Sequence, residues 1–159
     1  MQVKSRHHLR SDGIARLEDA LADRFGIALD AGSYERVVLV DAPFEVVLAD
    51  GEPVAFTIDG EFAPTVRGAN EFPPAERVVT VDAGAVSFVS DGANVMRPGI
   101  VEADPDIEAN DLVTIAEETH GKTLAIGRAT TAGEGMVGDS GMVVESIHHV
   151  GDDLYAFDP

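Results

Sequence analysis

The stretch V81-D-A-G-A-V-S-F-V-S-D-G-A-N-V-M-R-P-G-I-V-E-A-D104 decides the reading of this chain. A β-prone run ends at Asp82, and Gly84 lets the backbone turn tightly into a helix of about two turns, near 3.6 residues each. Val86 and Val89 face one way from that helix, with Phe88 on its shoulder. Gly92 then ends the helix at an expected positive φ, a conformation that costs glycine nothing. Ala93-Asn94-Val95-Met96-Arg97 follows as a loop, and Pro98-Gly99 launches the next strand. Small residues on both sides of such a loop let another backbone approach closely. Arg97 offers a planar fork suited to a phosphate or a base edge.

Outward from this stretch, the second half of the chain reads as strands. Arg77–Asp82, Pro98–Ala103, Asp111–Glu117, Leu124–Thr130 and Met142–Val150 are β-prone segments, broken by the single helical stretch Gly84–Ser90. That spacing predicts a small barrel. The first half reads differently. Ile14, Leu17, Leu21 and Phe25 recur at helical spacing, with Ser11 or Asp12 expected as N-cap and Gly26 as the left-handed terminator. Arg36–Asp41, Glu45–Ala49 and Pro53–Phe56 are strand-like, and Asp50-Gly51 between the last two is a hairpin signal. Pro64-Thr65 is expected to open a short helix, which Phe72-Pro73-Pro74 ends. The expected fold is therefore an α+β domain over residues 1–75, then a mainly-β pseudo-barrel with one or two short helices over residues 76–159.

Composition restricts function. The absence of cysteine excludes disulfides and thiolate chemistry. The longest aliphatic run, Val37–Val40, is far short of a membrane span, so a soluble cytoplasmic protein is expected. The formal charge is −18, with Lys4 and Lys122 the only lysines. Nucleic-acid binders usually carry a basic patch, so this balance argues at first against one. An acidic tail does not explain it, because the acids are spread along the chain, and a surface for cationic partners explains it less well than adaptation to very high salt. At molar ionic strength the Debye length falls to about 3 Å, which screens repulsion among carboxylates and also removes most of a basic surface's advantage toward RNA. Residues 1–25 alone carry a net positive charge. Lys4, Arg6, Arg10 and Arg16, with His7 and His8 among them, form the only basic concentration.

The residues around the opening stretch resemble a known family. Asp82-x-Gly84-Ala85, Gly92-Ala93-Asn94-Val95-Met96 and Pro98-Gly99 are similar to the signature of PUA domains, named for pseudouridine synthases and archaeosine transglycosylases. Gly121-Lys122-x-Leu124-Ala125-x-Gly127 and Ile147–Asp152 resemble that fold's later strands. Lys4–Arg10, the helix after it and Phe62-Ala63-Pro64-Thr65 resemble the first domain of one PUA family. It comprises small archaeal proteins and the eukaryotic malignant T-cell-amplified sequence protein, and the ligatin initiation factor carries the same module. The segment Gly68–Pro74 is shorter and less apolar than that family's helix.

The resemblance implies an RNA-binding function without catalysis or cofactor, in translation initiation, re-initiation or recycling. It implies structured RNA as the ligand, either small-subunit rRNA or tRNA, and a protein partner with an initiation-factor-one-like domain; DNA and membranes are not expected. An accessory RNA-recognition module for a tRNA- or rRNA-modifying enzyme is the alternative. Carried over by position, the RNA-facing groove is lined by Gly92, Ala93, Asn94, Met96 and Arg97, with Ala85 and Phe88 behind. Lys4, Arg6, Arg10, Lys122 and Arg128 are candidates for further RNA or partner contacts.

Other motifs have plainer readings. Gly138-Asp139-Ser140-Gly141 imitates a serine-protease nucleophile motif, but no histidine–aspartate pair accompanies it and a loop is expected. His148 and His149 face opposite ways on a strand, so one metal ion does not take both; His148 is expected to pack in the barrel or against the first domain. Glu117-Glu118 reads as a solvated strand end.

Overall fold

The computed structural model describes residues 1–159 as two sheets sharing apolar contacts. The first sheet is a meander of β1 (Val3–His8), β2 (Tyr34–Leu39), β3 (Glu45–Ala49), β4 (Glu52–Ile58) and β5 (Glu61–Pro64), each antiparallel to the next. Helix α1 (Ser11–Phe25) packs on it through the buried Leu17, Leu21 and Phe25, as the apolar spacing predicts. Gly26 ends the helix at φ 63° and donates to Ala22 O. The N-terminal cap differs from expectation: the capping position is Arg10, and no side chain caps the helix.

Two tight turns set the register of this sheet. Asp50-Gly51 (φ 50° and 86°) and Asp59-Gly60 (φ 51° and 81°) both have positive φ at each central residue, the type I′ pattern whose twist matches paired strands. The first hairpin is legible in the sequence, whereas the second, which creates β5, is not anticipated. Nor is β1, whose six residues carry almost no apolar signal. At the end of β5, Thr65 Oγ1 donates to Pro53 O and accepts from Gly68 N–H, which caps α2 (Val66–Glu71). A Cβ on Gly68 would lie 2.0 Å from Val54 O, so α2 rests on the β4 backbone itself.

The second sheet contains β6 (Val78–Val81), β7 (Val95–Met96), β8 (Ile100–Ala103), β9 (Leu112–Glu117), β10 (Thr123–Ala129) and β11 (Met142–His149), in the order β7-β11-β10-β9-β6-β8. Strands β6 and β9 run parallel; the other pairs are antiparallel. Its edge strands β7 and β8 are consecutive in the chain, joined only by the 3₁₀ turn Arg97–Gly99. That turn brings the two edges together, so the sheet is a nearly closed barrel. One 3₁₀ turn (Ala83–Ala85) leads into the short helix α3 (Val86–Ser90). The fold is thus mainly β with few short helices, and the first sheet with α1 supplies the α+β part.

The barrel has its own core, built on residues such as Val79, Val113, Ile115 and Val143. The first sheet's core is not self-contained, because it recruits Leu112, Ile126, Leu154 and Phe157 from the second half. Polar bonds align the two sheets. Asn70 exchanges two hydrogen bonds with the Thr123 backbone (2.8 and 3.1 Å), and Arg67 donates to Phe157 O at 2.9 Å. No helix is long and apolar enough to cross a membrane.

Candidate RNA-binding groove

Between α3 and the β7 strand lies a groove of about 420 Å³. Its walls include Ala85, Phe88, Ala93, Asn94, Met96 and Pro98, with Val89 and Val95 as buried floor. Asp82 caps the 3₁₀ turn by accepting from Ala85 N–H at 3.0 Å, which fixes the start of α3 and hence the direction of Phe88. Gly92 sits at φ 91°, and a Cβ there would fall 2.7 Å from His149 Nε2. Any side chain at this position therefore meets both backbone strain and a clash, so glycine is what lets α3 fold back against β11.

Of the five residues expected to line the groove, Ala93, Asn94 and Met96 do so, and Ala85 and Phe88, expected behind it, line it as well. Phe88 does not stand behind the groove; it is 67 % exposed, and Met96, on the same lining, is 48 % exposed. Met96 pairs across the sheet with Met142, also exposed, so an aromatic face and two thioethers are presented together. Met142 is absent from the sequence-level expectation, because only the register of β7 with β11 brings it there. Val95-Met96 is a strand rather than part of a loop. Asn94 Oδ1 accepts from Ser146 N–H at 3.0 Å, which orients the amide and leaves Nδ2 free to donate. Gly92 supports the groove from outside its lining.

Arg97 is also outside the lining, and its guanidinium is already engaged. Nε donates to Gly135 O at 2.8 Å and Nη1 donates to Ser140 O at 2.9 Å. The Gly138–Gly141 segment is thus a loop held down by Arg97, and its serine has no nucleophile's surroundings. The remaining basic candidates do not reach the groove either. Arg6 forms a two-pronged pair with Glu35 (2.8 and 3.1 Å), and this hydrogen bond holds the Glu35 carboxyl below the usual carboxylate range. Arg128 spans the two sheets, donating to Asn110 O and pairing with Asp59 and Glu61. Lys4, Arg10 and Lys122 are exposed elsewhere on the surface. The lining contains no cation, so the groove offers stacking, apolar contact and amide hydrogen bonds rather than charge.

The two tandem motifs beside the barrel are structural. His148 is only 2 % exposed and packs edge-on to Phe56 of the first sheet, while His149 turns the other way toward Ser90 O. Glu117 accepts from the N–H groups of Lys122, His120 and Thr119, and these bonds hold its carboxyl below the usual range. It closes the β9–β10 turn.

A family model described as the PUA domain matches residues 77–151, the barrel just described. An uncharacterized protein of Methanocaldococcus jannaschii is 33 % identical over 162 residues, covering 99 % of both chains. Translation machinery-associated protein 20 of Saccharomyces cerevisiae is 36 % identical over 115 residues, 68 % of this chain and 64 % of that protein. The malignant T-cell-amplified sequence 1 homolog of Drosophila melanogaster is 32 % identical over 105 residues, 64 % of this chain and 58 % of its own. The chain thus matches under two thirds of the length of these eukaryotic relatives. Among solved structures, a conserved PUA domain protein from Thermoplasma acidophilum superposes with a TM-score of 0.84 at 28 % identity, over 98 % of this chain and all of that one. The Methanocaldococcus relative and the Thermoplasma structure match through the first sheet as well as the barrel, and the chain belongs to the family of archaeal PUA-domain proteins related to translation machinery-associated protein 20 and malignant T-cell-amplified sequence 1.

Proposed function

We propose that this chain is a non-catalytic RNA-binding protein of the translation apparatus, holding structured RNA of the small ribosomal subunit in the α3–β7 groove. The observation that carries this reading is the pairing of an exposed Phe88 with Met96 in a groove bounded by backbone and by a free Asn94 amide. Single-stranded bases in RNA loops stack on such aromatic faces and hydrogen-bond to such amides, each stacked base contributing about 1–3 kcal/mol. The name of the Saccharomyces relative, translation machinery-associated protein 20, supports translation as the setting. A partner with an initiation-factor-one-like domain would dock on the first sheet. The charge of −18 fits a cytoplasm of high salt, where stacking keeps its strength while phosphate attraction is screened.

Sedimentation of lysate through a gradient at molar KCl, with sequencing of RNA cross-linked to the protein, tests this. Small-subunit rRNA in the ribosomal fractions is the expected result. Recovery of tRNA alone would assign the groove to tRNA instead. Recovery of no RNA, with Phe88→Ala indistinguishable from wild type, would overturn the reading.

A further inference from the structure

A second pocket, of about 430 Å³, lies where the start of α1 passes over β1 and β2, on the edge of the first sheet opposite β5. Its walls carry Arg10, Arg16 and Arg36, with His7 and His8, and Asp12 is its single acid. Acidic residues outnumber basic ones 29 to 11 in the chain, yet here three arginines face one aspartate. That inversion distinguishes the pocket from the rest of the surface. It is not produced by one run of sequence, because strand pairing sets His7 directly opposite Arg36 and the helix brings Arg10 and Arg16 alongside.

The cations are only partly neutralised. Arg10 has no ion-pair partner, and Arg16 reaches Asp12 at 4.0 Å with both side chains exposed. Arg36 pairs with Glu45 through Nε, which leaves its Nη groups unpaired. The helix start adds to the same field, because Arg10 supplies no side-chain cap. Planar guanidinium groups match the oxygens of a phosphodiester. In strong salt, long-range attraction toward RNA disappears, but a hydrogen-bonded guanidinium–phosphate pair inside a pocket is no longer than the screening length of about 3 Å or comparable to it.

We infer that this pocket is a phosphate site that grips the backbone of the RNA whose bases occupy the α3–β7 groove; the inference rests on the RNA-binding reading above. Each half of the chain then holds the RNA by a different chemistry: stacking on the barrel, and charge-assisted hydrogen bonds on the first sheet. Two linked sites raise the affinity beyond what either gives alone.

The test uses the full chain and a fluorescein-labelled stem-loop RNA with a single-stranded tail, titrated over a series of KCl concentrations. Arg10→Gln/Arg16→Gln is expected to weaken binding severalfold, with the difference narrowing as KCl rises, and to make the salt slope shallower by about 0.7–0.9 for each phosphate no longer neutralised. Arg16→Lys, which keeps the charge, should retain most of the slope and shows that folding is not at issue. Phe88→Ala should weaken binding and leave the slope unchanged. An unaltered affinity and slope in the double variant, with Phe88→Ala still impaired, overturns the phosphate site and leaves the RNA-binding reading intact. Failure of the wild-type chain to bind the stem-loop at any salt overturns both. Inorganic phosphate is titrated in parallel by NMR of the histidine rings. Saturable binding of phosphate that does not compete with RNA would assign the pocket to a free anion and likewise overturn the inference.

Discussion

The Val66 backbone N–H donates to His148 Nε2 at 3.0 Å, joining the first turn of α2 to the last strand of the barrel across 82 residues. The imidazole can accept there only with its proton on Nδ1, which faces both Asp152 oxygens at 2.8 and 3.0 Å. His148 is therefore a fixed tautomer at the joint between the two sheets, stacked edge-on to Phe56 and sealed from solvent.

Replacing His148 with Phe preserves an aromatic ring but orphans Val66 N–H in a buried site. A loss of about 1–3 kcal/mol in unfolding free energy is expected. Chemical denaturation followed by circular dichroism measures it; an unchanged midpoint would show that the joint does not depend on this bond.

Asp152 turns the same joint into an acid-sensitive one. Burial opposes its ionisation, but hydrogen bonds from His148 and from the His149 and Tyr155 N–H groups outweigh that and hold its carboxyl below the usual range. A carboxylate with a depressed folded pKa contributes stability above its unfolded value of about 3.9, and that contribution disappears as pH falls through the folded value. Asp152→Asn should be less stable than wild type at neutral pH by about 1–3 kcal/mol, with the gap closing below about pH 4. Thermal melts across that range show whether it does.

Phe88→Ala and Met96→Ala remove exposed surface, so each should change the melting temperature little while weakening RNA binding. Loss of one stacked base corresponds to about 1–3 kcal/mol in binding free energy, roughly five- to 150-fold in Kd. Fluorescence anisotropy with the stem-loop RNA reads this directly, and binding by both variants equal to that of wild type would remove the groove from consideration.

Arg97→Ala should behave in the opposite way. Its guanidinium holds the Gly135 and Ser140 carbonyls, so truncation frees the loop before β11 at a cost of about 1–2 kcal/mol. Hydrogen exchange should accelerate over residues 135–141, with the effect on RNA affinity smaller than that of Phe88→Ala. A variant that exchanges normally but fails to bind RNA would reassign Arg97 to the ligand.

Raising KCl from about 0.1 M to 1 M shortens the Debye length from about 10 Å to 3 Å and should raise the melting temperature of a chain with net charge −18. NaCl at the same ionic strength should reproduce most of the gain, because screening depends on ionic strength. A melting temperature independent of salt would show that the acidic surface is not self-repelling.

The sequence by itself determined the local devices. Apolar residues at helical spacing placed α1, Gly26 and Gly92 marked helix ends at positive φ, and Asp50-Gly51 marked a hairpin, because each of these depends on near neighbours in the chain. The motif around Gly92 likewise located the groove. What the sequence did not contain was pairing. β1 has almost no apolar alternation and becomes a strand only because β2 lies beside it; Met142 joins Met96 only through the register of β11 with β7. Charge was the least legible property. Arg6, Arg97 and Arg128 look alike in sequence as free cations, yet the fold places a carboxylate or a carbonyl against each. Arg36, unremarkable in the chain, is set opposite His7 in a cationic pocket. Helix caps and turns are decided over a few residues of backbone, whereas the partner of a long charged side chain is decided by whichever distant strand the tertiary structure brings within hydrogen-bond reach.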